Sequence, residues 1–149
     1  MPSKQILFNY CQTFIEGRIS RIQKNIRDIQ ESLASETKSS AGDKHETARA
    51  MLQLERERLG QQLAEAERTK QVLLKVPFEK ASQIAGLGSW VKTSKADYFL
   101  AISAGQFEDD SSNVFCISAD TPIGRLLLGK SAGDTFLFHN TITEILSVH

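Results

Sequence analysis

The stretch SSAGDKHETARA, residues Ser39 to Ala50, separates two long runs of helical periodicity. If the chain turns there, the two runs fold back on each other as a hairpin. If it does not, they form one continuous helix. Ser39, Ser40 and Gly42 are small or polar residues of the kind that punctuate secondary structure, and they predict a turn.

The runs on either side support that reading. Before the turn, Ile15, Ile19, Ile22, Ile26, Ile29 and Leu33 are spaced 4, 3, 4, 3 and 4 apart. This is a heptad seam filled mostly by β-branched Ile, and it predicts a helix over 4–38. At ~1.5 Å per residue such a helix is about 50 Å long. After the turn, Leu52, Leu59, Ala66 and Leu73 recur every seven residues with Leu63 beside them, which predicts a helix over 46–76. This seam is weaker, because Glu55, Arg56 and Lys70 fall near it. Pro77 stops it, since its ring cannot continue the hydrogen-bond ladder. Residues 1–76 are thus expected to form an antiparallel coiled-coil hairpin with its tip at 39–46. Two such seams enclose no pocket, so function is expected on the outer face, the tip or the following domain.

From residue 77 the texture changes. Short apolar runs at 90–91, 98–102, 114–117, 136–138 and 142–148 alternate with polar turns at 108–113 and 139–140. One short helix is signalled, with Asp120 or Thr121 as cap, Pro122 at its first position and Gly129 at its end. Ile123, Leu126 and Leu127 give it an apolar face. Residues 77–149 are expected to form a small antiparallel sheet with one helix, so the chain as a whole is α+β.

The chain carries 18 Lys+Arg and 18 Asp+Glu, and this balance argues against a general nucleic-acid surface. Cys11 and Cys116 are far apart in sequence and lack Cys-x-x-Cys spacing, so two reduced thiols are expected rather than a disulfide framework or a zinc site. The opening MPSKQILFNY has no signal-peptide pattern and no apolar run reaches the ~20 residues of a bilayer span, so a cytoplasmic protein is expected.

Two stretches could carry chemistry. Asp43 and Glu46 fit a capping box, each side chain bonding the other residue's backbone N–H at the start of the second helix. They equally fit a pair of exposed carboxylates that hold Mg²⁺ when a partner supplies the other ligands. His45 could add a nitrogen ligand or simply be solvated. The second stretch is TPIGRLLLGKSAGD, 121–134, which reads structurally as a capped helix, a Gly terminator and a turn into a strand. No Gly-x-Ser-x-Gly, P-loop or His-Glu-x-x-His motif is present.

In this order, the two stretches resemble the Gre family of bacterial transcription elongation factors. That family's tip reads Gly-Asp-x-x-Glu-Asn-Ala, and here Gly42-Asp43-Lys44-His45-Glu46-Thr47-Ala48 stands in its place. The family's Ser-Pro-[Ile/Met]-[Ala/Gly]-x-x-Leu run corresponds to Thr121-Pro122-Ile123-Gly124-Arg125-Leu126-Leu127, followed by Gly129-Lys130 and Gly133-Asp134. The resemblance implies an FKBP-like C-terminal domain and a hairpin that enters the secondary channel of RNA polymerase. It implies that Asp43 and Glu46 help the polymerase active site hold a second Mg²⁺ near the nascent RNA 3′ end and cleave a backtracked transcript. The protein would then be a monomeric cofactor of an enzyme rather than an enzyme. Thr121, Pro122, Ile123 and Gly124 would serve the domain's fold or its contact with polymerase. Three positions depart from the pattern: Thr47 replaces Asn, Arg49 a polar or acidic residue, and Ala50 an aromatic. They keep open a channel-binding regulator without cleavage. A peptidyl-prolyl isomerase, suggested by the FKBP-like fold alone, and a coiled-coil scaffold are the remaining readings.

Overall fold

The computed structural model describes residues 3–38 and 43–149, with side chains described for 3–36 and 45–149. Two long helices, α1 (Lys4–Lys38) and α2 (Asp43–Leu74), are followed by a six-stranded sheet and one short helix, an α+β architecture. The chain divides into two compact units, Ile15–Lys70 and Met1–Phe14 with Gln71–His149.

In the first unit, α1 and α2 run antiparallel. Contacts at its two ends show this: Lys70 Nζ lies 3.6 Å from Glu16 Oε1, and His45 Nδ1 lies 2.9 Å from Glu36 Oε2. Between them the heptad positions Ile15, Ile22, Ile26, Leu59 and Ala66 are buried, while Ile19, Ile29, Leu33 and Leu52 are half-buried. Helix α2 begins at Asp43, three residues earlier than the expected boundary, and ends at Leu74 rather than 76. Lys75 and Val76 donate to Val72 and Leu73 at 3.1 and 3.0 Å, so the last turn tightens to i→i−3 bonds. Pro77 explains the earlier end, because proline disfavours the α conformation in the residue before it.

The second unit carries β1 (Trp90–Thr93), β2 (Asp97–Ala101), β3 (Gly105–Glu108), β4 (Asn113–Ser118), α3 (Pro122–Leu127), β5 (Thr135–Phe138) and β6 (Thr141–Val148). The strand order is β3-β4-β2-β1-β6-β5. All neighbours pair antiparallel except β2 and β4, which are parallel. The parallel pair and strand β3 are not expected from the sequence. The β3–β4 hairpin inserts its second strand beside β2, which leaves β3 at the edge. His139 and Asn140, at φ 51° and 59°, form the two-residue turn between β5 and β6.

One sheet face packs against α3, where Val91, Leu100, Leu127, Phe136 and Ile145 form the core with Ala85. The start of α1 lies against β3 and β4: the Tyr10 hydroxyl donates to the carbonyls of Ala104 and Gln106, both at 3.0 Å. Phe8 stacks on Phe78 at 4.3 Å between ring centroids. Among the described residues, no helix is long and apolar enough to cross a membrane.

Candidate functional site

The end of α1 and the start of α2 bring the expected tip residues together. Asp43 is the first residue of α2, and Glu46 lies three positions further on. Residues three apart in a helix fall on one side of it. An acid in the first turn is also favoured by the helix dipole, so the helix gains from this placement whatever else the acids do. Of the two capping-box hydrogen bonds expected between Asp43 and Glu46, the one that rests on the Asp43 side chain lies outside the described residues. Glu46 is exposed, and among the described residues its carboxylate has no hydrogen-bond or ion-pair partner.

His45 is not merely solvated. Its Nδ1 meets Glu36 on the facing helix at 2.9 Å, with the two side chains 44% and 28% exposed. That nitrogen is therefore engaged, which leaves Nε2 as the ring's other nitrogen. Glu36 is the site residue that sequence reasoning missed. The signal was present in the antiparallel register, which places residues shortly before the turn opposite residues shortly after it.

Among the described residues, no group of three or more His, Cys, Asp or Glu side chains could hold a metal ion. Carboxylate oxygens are the right donors for Mg²⁺, but one or two leave most of its octahedral shell to water or to another molecule. Two such carboxylates could therefore hold Mg²⁺ only together with ligands from elsewhere.

The second candidate stretch has a structural role. Thr121 caps α3, its Oγ1 accepting from Gly124 N at 3.1 Å and donating to Ser118 O at 2.8 Å. Pro122 occupies the first turn and is exposed; Ile123 packs against the core. Gly124 is buried, and a Cβ there would lie 2.3 Å from Ser118 O. Gly129, at φ 81°, follows the end of α3 and donates to Ala85 O at 2.8 Å.

A cleft of about 450 Å³ lies beside the β1–β2 turn, lined chiefly by Lys92, Lys95, Asp97, Ser111, Asn113 and Phe115. Its lining is polar, and Phe115 is its single aromatic side chain. Comparison of the chain with protein-family models, with curated proteins and with solved structures finds no match in any of the three.

Proposed function

We propose that the protein is a Gre-like transcription elongation factor that enters the secondary channel of RNA polymerase and stimulates cleavage of backtracked transcripts. The observation that carries this reading is the Asp43-x-x-Glu46 pair in the first turn of α2, at the tip of an antiparallel hairpin, with the Glu46 carboxylate exposed and uncommitted among the described residues. A hairpin of two seams offers its tip as the one place where a narrow element can reach a remote active site. In this reading the sheet unit is an FKBP-like domain that docks at the channel entrance, and the site of action is in the cytoplasm.

Asp43 and Glu46 would supply carboxylate oxygens to a Mg²⁺ ion shared with the polymerase. That ion, when bound, stabilises the attacking and leaving oxygens of phosphodiester hydrolysis. Glu46 also provides an acceptor that orients a water near the RNA 3′ end. His45, held by Glu36, fixes the first turn of α2 against α1 and so limits the positions its neighbour Glu46 can take.

Thr47, Arg49 and Ala50 favour a second reading, a channel-binding regulator that does not promote cleavage, because they replace the residues that flank the acids in the family pattern. An isomerase reading draws no support from the cleft, since a proline-binding site needs an apolar surface. Adding the protein to a stalled, backtracked complex of its cognate polymerase tests the proposal. Shortening of the RNA from its 3′ end is expected. Binding without shortening selects the second reading, and absence of binding refutes both.

A further inference from the structure

Cys11 and Cys116 are separated by most of the chain, yet the fold brings them together. Both are free and buried, at 0% and 1% exposure. Tyr10, the neighbour of Cys11, donates its hydroxyl to Ala104 and Gln106. Those two residues flank Gly105, which pairs across the β3–β4 ladder with Cys116. The Tyr10 ring meets Phe107 edge-on at 5.5 Å between centroids, so the helix is held on this strand by packing as well. The Cys11 thiol is the largest influence on the Cys116 thiol, and both act on the Tyr10 hydroxyl, so the three groups lie together.

A single buried cysteine is usually an inert small hydrophobe. Two that the fold brings together from different segments differ, because a sulfur oxidised on one can be attacked by the other. We propose that Cys11 and Cys116 form a redox-sensitive clasp, in which a peroxide converts the two thiols into one intramolecular disulfide that ties the first turns of α1 to β4. One thiolate attacks a peroxide oxygen; the O–O bond breaks, water leaves and a sulfenic acid remains. The second sulfur then attacks the sulfenic sulfur; the S–S bond forms, the S–O bond breaks and a second water leaves. The two sulfurs lose two electrons in total, and the peroxide gains them.

The neighbouring Cys11 thiol, together with burial, pushes the Cys116 thiol up. The Cys116 thiolate is therefore scarce while α1 is seated, and closure proceeds through transient lifting of the first turns of α1. Once formed, the bond closes a very long loop, the case in which a cross-link restricts the unfolded chain most.

The test uses the reduced full-length protein treated with hydrogen peroxide under native conditions. The intact mass is expected to fall by two hydrogens, and digestion without reductant should give one cross-linked peptide containing both cysteines. The melting temperature should rise by about 5 °C or more and return on addition of dithiothreitol. Cys11→Ala and Cys116→Ala should each abolish the rise. Thiols that react only after global unfolding of the protein, a product dominated by sulfinic acid or by cross-linked dimers, or a disulfide that lowers the melting temperature would each overturn the proposal.

Discussion

A methyl group on Gly124 would lie 2.3 Å from the Ser118 carbonyl oxygen and 2.9 Å from Thr121 Oγ1. The first is backbone and the second is the cap of α3, so neither can yield cheaply. Gly124→Ala is therefore expected to cost about 3 kcal/mol, read as a lower denaturant midpoint at unchanged slope. Tyr10 makes a different kind of contact. Its hydroxyl must keep its proton to donate to Ala104 and Gln106, and burial, with a smaller contribution from Cys116 and Cys11, raises its pKa. A raised folded value means that this contribution is complete below the ordinary tyrosine range and is lost as pH climbs through the raised value. Tyr10→Phe should cost about 1 kcal/mol at neutral pH. Above about pH 10 the gap between the variant and the parent should narrow. Unfolding curves across that range check this, and a constant gap would contradict it.

The elements differ in how plainly the sequence announces them. The Ile seam placed α1 at 4–38, and the helix is Lys4–Lys38, because a long amphipathic period is a strong local signal. Strand β3 escaped notice because GQFE holds one apolar residue; its existence depends on pairing with β4, which is not local information. The parallel direction of β2 and β4 is hidden for the same reason. At the tip, the Asp43-x-x-Glu46 spacing was legible, although the second helix was expected to begin at 46 and it begins at Asp43. The Glu36–His45 bond and the nearness of Cys11 to Cys116 were not, since each joins two elements. The first of these bonds yields an element-scale prediction. As a partly exposed pair it contributes no more than ~1 kcal/mol to global stability. Glu36→Gln should thus leave the melting temperature almost unchanged while speeding amide exchange over residues 45–48, where α2 begins. Exchange at the parent's rate would show that the bond does not hold that turn.

At the scale of the whole molecule, the chain comprises a hairpin of two long helices and a sheet unit with a cleft of polar lining. The proposed activity needs only the hairpin's tip to act, and needs it to act through two carboxylates. This demand separates a metal-holding role from a capping one. Asn is as good a helix cap as Asp, and Gln replaces Glu in a capping box, so each substitution should cost folding no more than the ~0.5 kcal/mol of its interaction with the helix dipole. Each removes one negative charge from the proposed Mg²⁺ site. The most direct measurement is the rate of transcript cleavage in a backtracked complex of the cognate polymerase, with Asp43→Asn and Glu46→Gln compared with the parent at matched occupancy. The account predicts that both variants bind and melt as the parent does but lose most of the stimulated rate, about 10-fold or more, the loss that ~1.4 kcal/mol of transition-state stabilisation represents. Cleavage at the parent's rate by both variants would contradict it, leaving the carboxylates as helix-stabilising groups alone.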